Sequence, residues 1–280
     1  MPGFFMDTLL PLGSALDRAS RSAADRGMTI AADSPLVTKV VPSPNQGERK
    51  DGRRPDMIVL HYTGMKDGVS ALQQLTNPLA EVSSHYLIWE DGRIFQLVPE
   101  SARAWHAGAG SWGRDTDINS CSIGIEIVNG GHDYGLPDFT PAQIDATIAL
   151  CRDIATRWSI QPHRILAHSD TAPARKADPG EKFPWDALAA AGVGHFVPPV
   201  PVTDGPRFAR GAEGPPVQAL QAMLALYGYA LPVTGVFDDA TEQVVTAFQR
   251  HFRPACVDGV ADIATIKTLR DLIAALPAAA

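Results

Sequence analysis

Short apolar runs between residues 57 and 168 have the lengths of β-strands. A continuous apolar run predicts a buried strand, and strict alternation predicts a strand with two different faces. Residues 122–128 form such an alternating run, in which Ile123, Ile125 and Ile127 share one face. Two further runs are separated by Asp91 and Gly92, a turn pair that predicts a β-hairpin. The predicted strands cover residues 57–62, 82–90, 93–98, 122–128 and 164–168.

A helix start follows the alternating strand. Thr140 is a capping residue, Pro141 suits the first helical position, and Gln143 completes a capping-box pattern. Apolar residues then recur at helical spacing as far as Trp158. Strands and helices mixed in this way predict an α/β fold with a mixed central β-sheet flanked by helices.

The pattern changes after a proline-rich stretch, for which an extended linker is predicted. Beyond it, apolar residues recur at helical spacing in 216–227, 239–252 and 262–276, which predicts a small all-α domain of three helices. Its two inter-helix segments, 234–241 and 257–265, resemble each other. Each has a glycine turn, an apolar residue and an Asp/Thr helix start, which indicates an internal repeat.

Composition narrows the class of protein without identifying it. The chain has 280 residues, 45% hydrophobic and 20% charged, which excludes collagen, coiled coil and wholesale disorder. Its net charge of −7 argues against a nucleic-acid partner. No apolar run approaches the roughly 20 residues of a membrane span, and no signal peptide is predicted. Three scattered cysteines exclude a Cys₄ metal site and favour a reducing compartment, or an exported protein without disulfides.

Histidine and carboxylate are therefore the available metal ligands. His61 and His168 each close a predicted strand, and Asp178 follows in a loop without large apolar side chains. Two histidines and one aspartate with an open position are typical of catalytic zinc. The spacing alone is a weak signal, since a lone histidine is more often a core residue. Glu126 lies mid-strand between Gly124 and Val128, where burial is costly unless the carboxylate has a partner.

Five ordered segments resemble the zinc-dependent N-acetylmuramoyl-L-alanine amidases of the amidase type 2 family, which are related to peptidoglycan recognition proteins. The segments are residues 58–63, 82–88, 104–108, 122–129 and 167–180. The resemblance implies that His61, His168 and Asp178 hold Zn²⁺ at the sheet edge. It also implies that Glu126 and Lys176 are catalytic.

The resemblance leaves the other histidines with weaker assignments. It places His106 in a block that lines the substrate cleft, and a structural role for this residue is about as well supported. His85 is interpreted as structural or as a partner of the ligands. The remaining histidines match no functional position of the family: His132, His163, His195 and His251.

The C-terminal helices resemble the three-helix peptidoglycan-binding domain, through motifs that include Gln221, Tyr227–Gly228 and Ala247–Gln249. The predicted organisation is a disordered or extended lead-in (1–39), the zinc amidase domain (40–195), a proline-rich linker (196–208) and the peptidoglycan-binding domain (209–277).

The predicted function is hydrolysis of the amide between N-acetylmuramic acid and L-alanine, in peptidoglycan or muropeptides, by a monomer. Two alternatives stay open: a non-catalytic recognition module, and a zinc cell-wall endopeptidase on the same fold. The predicted location is the cytoplasm, where a recycling enzyme would act. The peptidoglycan-binding domain instead favours the periplasm or the cell wall.

Overall fold

A mixed six-stranded sheet forms the centre of the molecule, as the sequence predicts. The computed structural model describes residues 31–201 and 204–277. The predicted lead-in therefore lies outside the described residues as far as residue 30, as do linker positions 202 and 203. The described residues from 32 onward form one compact unit.

The strands of this sheet run in the order β1-β5-β4-β7-β3-β8. Strands β4 and β5 pair antiparallel as the predicted hairpin, and the other neighbours pair parallel. The strands are β1 (Val37–Val40), β3 (Met57–Tyr62), β4 (Tyr86–Ile88), β5 (Ile94–Gln96), β7 (Ser122–Ile127) and β8 (Ile165–Ala167). Two short antiparallel ladders join β2 (Gln46–Gly47) to β6 (Arg103–Ala104), and β9 (Arg207–Phe208) to β10 (Ala261–Asp262).

Helices cover both faces of the sheet. The longest, α3, begins after Thr140, whose hydroxyl accepts from the Gln143 N–H while the Gln143 side chain accepts from the Thr140 N–H, so the predicted capping box is confirmed. The helices are α1 (Gly68–Thr76), α2 (Ile118–Cys121), α3 (Pro141–Trp158), α4 (His168–Thr171), α5 (Trp185–Ala190), α6 (Pro215–Tyr227), α7 (Asp239–Phe252) and α8 (Ile263–Ala274).

The two faces of strand β3 enter different hydrophobic cores. Ile58 and Leu60 pack in a core shared with helix α3. Met57 and Val59 belong to a core that continues into the C-terminal helices. This alternation follows from the two-residue repeat of a strand. The C-terminal helical region therefore packs against the sheet, and the predicted domain bounds stay a prediction.

Several segments differ from the sequence-based expectation. Strand β1 lies at the end of the predicted lead-in and pairs with β5, so this part of the lead-in belongs to the sheet. Helices α1 and α5 were not predicted. Helix α1 has a recognisable start, because the Asp67 side chain accepts from the Ser70 N–H.

Two buried glutamines give the predicted internal repeat its physical basis. Each side chain accepts from two successive N–H groups of the following turn and donates to the next carbonyl. These groups belong to Thr234, Gly235 and Val236 for Gln221, and to Asp258, Gly259 and Val260 for Gln249. The equivalent contacts show that the two predicted segments are structural repeats.

Candidate active site

The carboxyl ends of neighbouring strands bring the candidate ligands together. His61 lies near the end of β3, and His168 directly follows β8, its parallel neighbour. Parallel strands end at the same edge of a sheet, so the two imidazoles meet there. The loop after α4 returns to this edge with Asp178. All three side chains are buried.

The three polar atoms form a small triangle. His61 Nδ1 lies 2.9 Å from His168 Nδ1 and 2.9 Å from Asp178 Oδ2, and His168 Nδ1 lies 3.0 Å from the same oxygen. One cation could contact two neutral imidazole nitrogens and a carboxylate oxygen at such spacing. The group therefore fits a metal ion.

Hydrogen bonds at the Nε2 atoms of His61 and His168 orient the two rings so that both Nδ1 atoms face the triangle. His168 Nε2–H donates to the Ala107 carbonyl at 2.9 Å. His61 Nε2 lies 3.0 Å from His106 Nδ1, and His106 Nε2 lies 3.1 Å from Ser122 Oγ. Partners of this kind set the tautomer and the ring orientation of metal-binding histidines.

The direction of this hydrogen-bond chain follows from its last member. The Ser122 hydroxyl donates to the Ile118 carbonyl, which can only accept. Ser122 Oγ must then accept from His106 Nε2–H, so His106 Nδ1 accepts from His61 Nε2–H. The Nδ1 lone pair of His61 is left for a metal ion. His106 thus supports a candidate ligand, and its side chain also lines the cleft.

Gly124 makes room for the His106 ring. A Cβ atom at this position would lie 2.4 Å from His106 Cγ, closer than such atoms can approach. His85 packs against His106, with ring centroids 5.7 Å apart. Its Nδ1 accepts from the Gly124 N–H at 2.9 Å. The structure thus places His85 against both Gly124 and the His106 ring.

Glu126 lies beside the triangle without a hydrogen bond to one of its oxygens. Within the described residues, its Oε2 atom is buried and has no hydrogen-bond partner. Burial and the nearby Asp178 raise the pKa of Glu126 well above its ordinary value, and Lys176 opposes this shift. Glu126 and Lys176 both line the same cleft. The arrangement provides a proton acceptor and a positive charge next to the candidate metal centre.

Electrostatics favours the protonation states that metal binding needs. Burial and the neighbouring His168 lower the pKa of His61 to about 4, so this imidazole is neutral at pH 7. Burial alone would raise the pKa of Asp178, but His168 and His61 together hold it below its ordinary value. Neutral imidazole and ionised carboxylate are the ligand forms of these residues.

The cleft that contains the triangle has a volume of about 500 Å³. Tyr62 and His132 line it and are joined by a 3.0 Å contact between the tyrosine oxygen and Nδ1. Its lining also includes Trp105, Val82 and Gln74. The sequence predicts no role for His132, which begins a short 3-10 helix (His132–Tyr134) and belongs to no predicted strand or motif.

Two histidines, an aspartate and a neighbouring glutamate at the carboxyl edge of a mixed sheet fit the active site of a metal-dependent hydrolase. The family model described as N-acetylmuramoyl-L-alanine amidase matches residues 51–181, and the model of a peptidoglycan binding domain matches residues 213–269. The chain belongs to the N-acetylmuramoyl-L-alanine amidase family.

Individual relatives agree with the amidase family model. N-acetylmuramoyl-L-alanine amidase AmiD of Escherichia coli (strain K12) is 41% identical over 230 residues, which span 75% of this chain and 79% of AmiD. The 1,6-anhydro-N-acetylmuramyl-L-alanine amidase AmpD of Citrobacter freundii is 35% identical over 167 residues, 54% of this chain and 87% of AmpD. A solved structure of E. coli AmiD with anhydro-N-acetylmuramic acid-L-Ala-D-γ-Glu-L-Lys has a TM-score of 0.66 at 34% identity, covering 88% of this chain and 93% of that one.

No helix within the described residues has both the length and the apolar content needed to cross a bilayer.

Proposed function

We propose that the protein uses Zn²⁺, held by His61, His168 and Asp178, to hydrolyse the amide between the lactyl carbonyl of N-acetylmuramic acid and L-alanine. The observation that carries the proposal is the triangle of two Nδ1 atoms and one carboxylate oxygen beside Glu126. This donor set suits zinc and leaves a coordination position open. A recognition module that only binds would not need all of these groups.

The mechanism assigns a separate task to each remaining polar side chain. When bound, Zn²⁺ lowers the pKa of water at the site to about 7 and polarises the scissile carbonyl. Glu126 accepts the proton of the attacking water at its free carboxylate oxygen. It later delivers that proton to the alanine nitrogen as the C–N bond breaks. Lys176 stabilises the negative charge that develops on the carbonyl oxygen.

We propose muropeptides, including those with an anhydro sugar, as substrates. The support is the ligand in the AmiD complex and the name of AmpD, both of which specify the anhydro form. The C-terminal helical region is proposed to bind peptidoglycan, which would raise the local concentration of enzyme near polymer.

The decisive experiment is product analysis by mass spectrometry. The purified protein, loaded with zinc, is incubated with an anhydro-muropeptide that carries the full stem peptide. The proposal predicts release of the intact peptide with a free L-alanine amine, and loss of this release after chelation. Cleavage within the stem would identify an endopeptidase instead. Binding without any release would identify a recognition module.

We further propose that the protein is a cytoplasmic monomer. All three cysteines are free, and Cys121 and Cys151 are buried thiols, which suits a reducing compartment. The peptidoglycan-binding region supports the alternative location at the wall. Fractionation of cells with a tagged copy tests the location, and light scattering on the purified protein tests the oligomeric state.

A further inference from the structure

Asp170 is a fully buried carboxylate two residues after the candidate ligand His168. It lies in the short helix α4, and its side chain is not exposed to solvent. Three donors reach it. The Ala167 N–H donates to Oδ2 at 2.8 Å, His251 Nδ1–H donates to the same oxygen at 2.7 Å, and the Tyr229 hydroxyl donates to Oδ1 at 2.7 Å.

Two of these three donors come from the C-terminal helical region. Tyr229 follows helix α6, and His251 lies in helix α7. Both are almost completely buried. The His251 ring stacks on Trp185 with centroids 3.7 Å apart, so its orientation is fixed by packing. Burial and the Asp170 charge raise the pKa of Tyr229 well above its ordinary value, which keeps the hydroxyl protonated as a donor.

Removal of the Tyr229 and His251 donors would leave the buried Asp170 carboxylate with too few hydrogen bonds. A buried carboxylate that loses hydrogen bonds must move, take up a proton or admit water. Any of these responses disturbs helix α4. His168 is the first residue of this helix, and the Ser169 N–H donates to the Asp178 carbonyl at 3.0 Å. Movement of α4 would therefore reach two of the three candidate metal ligands.

A second contact ties the far end of the same loop to the helical region. Arg250 of helix α7 lies 3.6 Å from the Glu181 carboxylate. Glu181 also contacts His132, which lines the cleft. The segment 168–181, which carries His168, Lys176 and Asp178, is thus held from helix α7 near both of its ends.

We propose that Tyr229 and His251 are positioning residues for the metal centre, acting through Asp170. The C-terminal helical region then has a role in catalysis on small soluble substrates, apart from any binding to polymer. This inference rests on the proposed zinc ligands His168 and Asp178.

The test uses full-length variants that remove the donors and keep the rings. Tyr229→Phe removes one hydroxyl, and His251→Phe preserves an aromatic ring against Trp185 without a donor to Asp170. Tyr227→Phe is the matched control, because the Tyr227 hydroxyl is buried in the same aromatic cluster but contacts His195. His251→Asn is the conservative variant, since its amide can donate from near the Nδ1 position.

Zinc affinity is measured by chelator competition, together with hydrogen exchange of the amides of residues 167–178 in the zinc-free protein. We expect the double variant Tyr229→Phe/His251→Phe to bind zinc about tenfold or more weakly, and to exchange these amides faster. Its kcat on a soluble anhydro-muropeptide should fall more than its KM rises. Tyr227→Phe should match the wild type, and His251→Asn should retain most of the affinity.

Wild-type zinc affinity and exchange in a folded double variant would overturn the inference. If the double variant does not fold, Tyr229→Phe alone decides, with the same expected direction and a smaller change. A wild-type protein that binds no zinc would instead overturn the proposed metal site. Zinc binding without amide hydrolysis would overturn the proposed reaction and leave the positioning role intact.

Discussion

His61 and Glu126 are register partners on the neighbouring parallel strands β3 and β7. Partners in a sheet point to the same face, so the candidate ligand and the candidate general base reach the cleft side by side. The distance between their backbones is set by the spacing of neighbouring strands, about 4.8 Å. The geometry of this pair therefore depends on the rigid sheet and not on a loop.

The first prediction concerns Glu126. Glu126→Gln keeps the shape of the side chain and removes its capacity to accept a proton. We expect zinc content near one per chain and a fall in kcat of about 10²–10⁴-fold. Glu126→Ala should give the same result. Metal analysis and peptide release measure the two effects, and retained activity in either variant would remove Glu126 from its role.

The same substitution should not destabilise the zinc-free protein. One oxygen of the Glu126 carboxylate is buried and has no hydrogen-bond partner within the described residues. A neutral amide costs less to bury than a carboxylate. We therefore expect the Tm of zinc-free Glu126→Gln to equal or exceed that of the wild type in a calorimetric scan. A large decrease would show that the carboxylate has a structural partner.

The second prediction concerns the ligands. His61→Ala and His168→Ala each remove one corner of the triangle, so both variants should lose zinc and activity together. Dialysis against a chelator should produce the same loss in the wild type, with recovery when zinc is added. Full zinc occupancy in either variant would contradict the ligand assignment. His163→Ala is the matched control, because this histidine lies outside the cleft.

The third prediction follows from the hydrogen-bond chain behind His61. His106→Ala leaves His61 Nε2–H without its acceptor, and we expect zinc to bind about 10–100-fold more weakly. Ser122→Ala should have a smaller effect in the same direction, since His106 itself remains. Chelator competition measures both. His132→Ala, which changes another cleft histidine, should leave the zinc affinity unchanged; equal effects of His106→Ala and His132→Ala would contradict the chain.

The fourth prediction concerns Lys176. Lys176→Met keeps the length of the side chain and removes its charge. If this charge stabilises the developing oxyanion, kcat should fall by about 10²–10³-fold while zinc content and KM change little. Steady-state kinetics on a soluble anhydro-muropeptide separates the two constants. A rise in KM with unchanged kcat would assign Lys176 to substrate binding instead.

The fifth prediction is a pH dependence of stability that originates at His85. Burial, with a smaller contribution from Arg49, lowers the pKa of His85 to about 3, well below the value of 6.5 for an unfolded chain. The unfolded state therefore takes up a proton as the pH falls below 6.5, and the folded state does not. The stability that this residue contributes above pH 6.5 is lost at about 1.4 kcal/mol per pH unit as the pH falls towards 3.

Denaturant unfolding of the zinc-free protein between pH 7 and pH 4.5 tests this effect. His85→Asn cannot titrate, and its side-chain oxygen can still accept from the Gly124 N–H. We expect the variant to lose less stability than the wild type over this range. Parallel curves for the two proteins would show that His85 is charged in the folded state.

Much of the fold follows from local sequence signals. The alternation of Ile123, Ile125 and Ile127 predicts β7, and the pair Asp91–Gly92 predicts the β4–β5 hairpin. The strand ends at His61 and His168 follow directly. Other segments are not predicted by such signals. Strand β1 has no distinctive pattern of its own and owes its structure to pairing with β5.

The candidate site also has a part that the sequence predicts and a part that it does not. The sequence marks five site positions by strand ends and by the family resemblance: His61, His168, Asp178, Glu126 and Lys176. The contacts of Asp170 with Tyr229 and His251 could not be predicted, because residues 170 and 251 are 81 positions apart. Contacts between such distant residues depend on how the helical region packs on the sheet.

Gly124 has a consequence for how this chain can vary. Any other amino acid there would require the His106 ring to leave its place between the strand and His61. The smallest possible change at this position, Gly124→Ala, adds one methyl group and alters no polar atom. It would nevertheless disturb the candidate metal centre. The tolerance of the centre to mutation is limited by a residue that contributes no side chain to it.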